Sequence, residues 1–170
     1  MDKIEELLKD PKTDLQKQAL TDKSYKKTPN NQDCKINFEL ATYGDAILKC
    51  VLCKIYFERE DEDNFGFKGK LTEWKKQYES DEVLVRVVAK HYKLLKFLKY
   101  DKKGNGKPKE QKPRNYKHKG QNDKDRHKYI ATAMEACIAA VYIENGENEV
   151  IEIVKQWIEW IDKVTNSSDT

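Results

Sequence analysis

Asp45 and Glu135 sit where carboxylates are costly. Asp45 lies in the middle of FELATYGDAILKCVLCKIYF, residues 38–57, a run apolar on nearly every face and long enough for about five helical turns. Glu135 is the single charge in IATAMEACIAAVYI, residues 130–143. A helix hydrophobic all round is normally buried at the centre of a domain, and burying a carboxylate there is expensive unless something positive compensates it. Gly44 stands next to Asp45; a mid-helix glycine costs roughly 1 kcal/mol and is best explained by a close approach of another chain, a ligand or a metal. Either acid alone fits a partly exposed residue on a core helix equally well. Both together, on the two most hydrophobic helices of a chain that is 37% charged, predict a site. If the two helices pack face to face, the carboxylates meet and can hold a divalent cation.

The other chemistry-bearing residues are less organised. Cys50 and Cys53 have the spacing of half a zinc site, but no second Cys/His pair accompanies them. A structural thiol pair is the better reading. His91, His118 and His127 are scattered, which points to structural or ligand-facing roles rather than catalysis.

The elements that must position the two acids are helices. Asp2 to Lys9 reads as a short amphipathic helix, and Thr13-Asp14-Leu15-Gln16 is a capping box that starts a second helix running to about Leu20. The central helix follows a polar loop and runs to about Glu58. Leu71, Trp74 and Tyr78 mark a further helix at i, i+3 and i+7. Ser80 caps another, with Val83, Leu84, Val87 and Val88 as its apolar stripe. Helix returns by Lys128, stops at Asn145-Gly146, and a last helix spans Glu149 to Val164. No alternating run supports a strand, so the expectation is one all-α domain over residues 1–164, with a mobile basic loop over 99–127 and a disordered tail over 165–170.

Length and charge bound the partners. With 170 residues the chain is long enough for one domain with a proper core. Mean hydropathy is −0.95 and no apolar run approaches a membrane span. The opening MDKIEELLKD has nothing of a signal peptide, so the reading is intracellular, with no membrane partner. The net charge of +3 is segregated: residues 101–128 carry eleven Lys/Arg against four Asp/Glu, a local +7 that leaves −4 on the rest. Such gathering suggests a polyanion such as nucleic acid, although charge runs are often simply solvated.

Four segments then resemble the ribonuclease III catalytic domain, in the family's order from about Leu15 to Gly146. QALTDKSY at 18–25 is similar to the family's QALTHRSY, YGDAIL at 43–48 to its LGDAVL, and EACIAAVYI at 135–143 to its EALIGAIYL. Gly69 to Thr72 with Ser80 to Ala89 follows the family's middle section. The resemblance implies the all-α ribonuclease III endonuclease domain fold, a homodimeric helical bundle. It implies a double-stranded-RNA-specific endoribonuclease that hydrolyses phosphodiesters with Mg²⁺ (Mn²⁺ substituting) and no small-molecule cofactor, in RNA processing or small-RNA generation. Asp45 and Glu135 match the family's catalytic metal ligands. Tyr43, Ile47 and Lys54 are then candidates for the dimer interface, and Lys107, Lys109, Lys112, Arg114, Lys117 and Lys119 for grip on the duplex.

This chain departs from the family in its acids. The family's Glu four residues before the Gly-Asp aspartate is here Ala41, and its Asp three before the second-helix Glu is Thr132. Glu39 is a possible auxiliary, though six residues from Asp45 it points about 120° away on a regular helix. The Mini-III ribonucleases show the same reduced pair. The competing expectation is a catalytically inactive ribonuclease III-like scaffold that binds duplex RNA or joins a ribonucleoprotein. An all-α protein–protein module explains neither the buried acids nor the basic segment.

Overall fold

The computed structural model describes residues 1–27, 31–59, 69–101 and 119–167, with backbone alone at 27 and 119–127. We number the helices α1 (Lys3–Lys9), α2 (Asp14–Ala19), α3 (Phe38–Arg59), α4 (Lys70–Glu79), α5 (Asp81–Val83), α6 (Lys119–Asn145) and α7 (Glu147–Asn166). Among the described residues there is no strand, only one isolated bridge between Thr21 and Lys99. The domain is all-α, as the sequence predicts.

The cap residues work as their types require. Asp2 accepts from the Glu5 N–H at 2.8 Å, and Thr13 accepts from the Gln16 N–H at 3.1 Å, each satisfying a donor the helix cannot. The Thr13 hydroxyl and the Gln16 amide both donate to Glu144, at 2.5 and 2.6 Å, and so tie α2 to the end of α6. Ser80 receives the Val83 N–H at 3.4 Å. Beyond it the backbone widens into a π-helix over Leu84–Ala89, and Lys93, at φ +54°, brings this helical stretch to its end. Leu84 and Val88 of the expected stripe are fully buried, with Val83 and Val87 packed against the core from its edge.

The centre of the molecule is α6, not α3. Ala133, Met134 and every residue from Ala136 to Ala140 have no exposed surface. Around α6 lie α1, α2, α3, α5, the π-helix and α7, with α3 its most extensive neighbour. In α3 the buried residues (Leu40, Ala41, Gly44, Ile47, Leu48, Val51, Leu52, Ile55, Tyr56) recur at helical spacing on one face. The opposite face leaves Tyr43 and Phe57 about half exposed, at 46% and 54%. Its apolar composition therefore serves a core on one side and an uncovered stripe on the other.

A polar knot fastens α2 to the segment before α6. Lys99 N–H donates to Leu20 at 2.8 Å and the Asp22 N–H donates to Lys99 at 2.9 Å, while Asn37 N–H donates to Thr21 at 2.9 Å. Thr21, Asp22 and Asn37 are the buried polar residues of the described chain; the Thr21 hydroxyl donates to the Lys17 carbonyl, the Asp22 carboxylate accepts from the Ser24 N–H and the Asn37 amide donates to the Ala19 carbonyl, which makes their burial tolerable. At the other end, Trp157 donates to the Tyr92 hydroxyl at 3.0 Å, which donates to Asp2 at 2.7 Å. His91 lies flat on Trp160, 3.7 Å between ring centres, a packing role.

Three boundaries differ from the sequence reading. Lys99 is pinned by the bridge to Thr21, so the loop expected from 99 starts later. α6 begins at Lys119, nine residues ahead of Lys128: the charged stretch has no apolar period to announce a helix, and helicity there continues from the packed part. α7 runs to Asn166, so Thr165 and Asn166 belong to the helix rather than to a tail. The remainder of both expectations, residues 102–118 and 168–170, lies outside the described residues.

Candidate active site

The site is set by the crossing of α3 and α6. A Cβ built on Gly44 would overlap the carbonyl oxygen of Glu135, lie 2.6 Å from its carbonyl carbon and 3.3 Å from the Ala139 nitrogen. Those are backbone atoms of a fully packed helix and cannot move aside. Gly44 is therefore there for the close approach of another segment of the same chain, and Glu135 is the residue it approaches. Asp45, next along α3, is carried into the neighbourhood of Glu135.

The electrostatics report that neighbourhood. Glu135 is half-buried, and burial, then the negative charges of Asp45 and Asp81, push its carboxyl up to about 7, against a smaller opposing pull from Lys49. Desolvation and a like charge both disfavour a carboxylate. Lys49, one turn beyond Asp45 on α3, places Nζ 2.7 Å from Asp45 Oδ2. That hydrogen bond raises the Lys49 ammonium above its ordinary value, with the fields of Asp45, Glu79 and Glu135 adding to it and partial burial opposing. Lys49 thus stands among carboxylates from α3, α4 and α6. Glu79 Oε2 is buried without a hydrogen-bond partner; its ion pair with Lys75 at 3.5 Å gives charge but not bonding geometry.

The remaining site candidates separate. Ala41 is buried in the core at 4% exposure. Thr132 donates its hydroxyl to the Lys128 carbonyl at 2.8 Å, satisfied by its own helix. Glu39 is exposed on the first turn of α3, and α3 is helical throughout from Phe38, so no break in the helix turns it toward Asp45. Ile47 is buried in this chain's own core at 7% exposure. Lys54 pairs with Glu147 of α7 at 3.2 Å. Tyr43 keeps an open face beside an edge-on contact with Tyr142, ring centres 6.0 Å apart. Lys107, Lys109, Lys112, Arg114 and Lys117 lie outside the described residues, and Lys119 opens α6.

The cysteines are free thiols. Cys137 is fully buried, and burial pushes its thiol up to about 12, which makes it inert. Cys50 is exposed, so the pair at 50 and 53 is no core element. Among the described residues no group of three His, Cys, Asp or Glu is placed to hold a metal ion.

Lys49, Glu79 and Asp81 are the residues that sequence reasoning missed. Lys49 was within reach: Asp followed four residues later by Lys is a favourable helical pair. Nothing in the sequence places Asp81, on the α4–α5 corner, near Glu135. As a ligand set Asp45 and Glu135 fit a divalent cation in part. Two mutually repelling, partly desolvated carboxylates gain from one, and Mg²⁺ keeps several waters and needs few protein ligands.

An all-helical domain whose two central helices cross closely at Gly44 is consistent with the fold of a ribonuclease III-type domain. A family model described as Ribonuclease-III-like matches residues 12–160, and the chain belongs to that family. Its members typically use divalent metals. No helix among the described residues is long and apolar enough to cross a membrane.

Proposed function

We propose that the protein is a double-stranded-RNA-specific endoribonuclease that acts with Mg²⁺ held by Asp45 and Glu135. The observation that carries this reading is the Gly44 crossing: the chain has accepted a mid-helix glycine to set Glu135 against α3 beside Asp45. A divalent cation bound there supplies charge stabilisation at the phosphodiester and a lowered water pKa. Asp45 and Glu135 then have a compensating charge, and the scaffold of α3 and α6 fixes their separation before substrate arrives. The basic residues of 101–128 hold the duplex through its phosphates, by shape more than by sequence.

Two observations favour a second reading, a non-catalytic duplex-binding scaffold. Asp45 already has a cation, Lys49 at 2.7 Å, and the positions of two family acids hold Ala41 and Thr132. Cleavage of a long, sequence-neutral RNA duplex at millimolar Mg²⁺ or Mn²⁺ separates the two. The expected result is cutting by wild type and at least a hundredfold loss in Asp45→Asn and in Glu135→Gln, the scale of removing a group that stabilises transition-state charge. Duplex binding without any cutting by wild type would establish the scaffold.

A further inference from the structure

We infer that Lys49 is a built-in counterion that occupies Asp45 in the metal-free protein and sets the metal threshold of the site by having to give way. The inference rests on the two-carboxylate reading above and assigns a positioning residue to it. Lys49 Nζ lies 2.7 Å from Asp45 Oδ2, with the two side chains 45% and 39% exposed. The contact is therefore open to solvent, and such i,i+4 pairs are weak enough to exchange. What is unusual is the setting. Asp45 flanks the glycine that lets α3 meet the Glu135 backbone, and the Lys49 ammonium also feels Glu135 and Glu79. The lysine neutralises Asp45 directly and lies in the field of Glu135, part of the electrostatic task a divalent ion would perform there, while Glu79 has its own partner in Lys75.

Two consequences follow from charge alone. In the absence of metal, Lys49 relieves the repulsion between Asp45 and its neighbours. When a divalent ion arrives, the ammonium must leave Asp45 and then repels the ion from nearby, so affinity is lower than two carboxylates would otherwise give. A unit charge about 5 Å from a divalent ion in a water-like dielectric is worth roughly tenfold in affinity. The side chain is long and half exposed, so it can swing clear without disturbing α3.

The test is Mn²⁺ binding to the full chain without RNA, read from the free-ion paramagnetic resonance signal. Lys49→Met keeps an unbranched side chain, one atom shorter, and removes its charge; it is expected to bind Mn²⁺ roughly tenfold more tightly than wild type. Lys49→Arg, which keeps the charge, should bind as wild type does. The gain in Lys49→Met should vanish when Asp45→Asn is added. Equal or weaker Mn²⁺ binding by Lys49→Met overturns the counterion role; if Asp45→Asn alone still loses Mn²⁺, the two-carboxylate site stands without it. No Mn²⁺ uptake by wild type and by Lys49→Met at millimolar concentration overturns both. Helicity measured on each variant confirms that it is folded, and an exposed position makes that the expected state.

Discussion

At the scale of single residues, Glu135 couples the site to stability. Its carboxyl is raised to about 7 by burial, then by Asp45 and Asp81, with Lys49 opposing. A group whose folded value lies above its unfolded value, 4.5 here, stabilises the fold fully below the unfolded value. That contribution is lost as pH rises through the folded one. The metal-free protein should therefore lose stability between about pH 4.5 and pH 7, by about 1–2 kcal/mol once partial exposure is allowed for. Denaturant melts at pH 5 and pH 8 with a chelator present measure it, and Glu135→Gln should flatten that part of the profile. A Glu135→Gln profile that follows wild type would show that the carboxylate is fully compensated within the protein. The sequence disclosed this residue through its isolation in an apolar run. It could not disclose Asp81, whose influence depends on where the α4–α5 corner lands.

At the scale of elements, the crossing of α3 and α6 is the feature everything else accommodates. On helix propensity alone Gly44→Ala would stabilise α3 by about 1 kcal/mol. The overlap with the Glu135 carbonyl reverses the sign, because the obstacle is backbone of a packed helix. Gly44→Ala should cost about 3 kcal/mol or more, the upper end of overpacking penalties. Gly146→Ala gives the comparison: nothing lies within 4 Å of its Cβ position, and only its φ of +88° is at stake, worth about 1–3 kcal/mol. Chemical denaturation of the two variants checks the order, and a stabilised Gly44→Ala would mean the helices do not cross this closely. The helices with apolar periods or caps, such as α1, α2 and α4, were legible nearly to the residue, and α7 to within two residues at each end. The early start of α6 was not, since its first turns carry charge without period, and the π winding of Leu84–Ala89 leaves no trace in a helical stripe. Composition also misplaced the centre. It shows how apolar a helix is, not whether both faces are covered, and α3 keeps one face open where α6 is enclosed from Ala136 to Ala140.

At the scale of the whole molecule, the proposed function gives that open face of α3 a task, the pairing of two copies across a duplex. Tyr43 and Phe57 are about half exposed, large apolar residues on one side of the helix that also carries Asp45. Cutting both strands of a duplex requires two sites in a fixed relation, and a two-fold axis supplies that from one self-complementary surface. We expect wild type to sediment as a dimer at micromolar concentration. Tyr43→Arg should give monomers that keep their helicity, because the ring's only aromatic neighbour among the described residues is Tyr142 and half its surface is already in solvent. Two arginines brought together across a two-fold axis would repel and be poorly solvated. The monomers should nick one strand slowly or not cut at all, since each retains Asp45 and Glu135 but has lost the second site. Sedimentation velocity on both proteins, followed by analysis of the cleaved duplex on native and denaturing gels, checks both parts. A wild-type monomer that makes double-strand cuts would mean that the open face of α3 serves something other than a second copy of this chain.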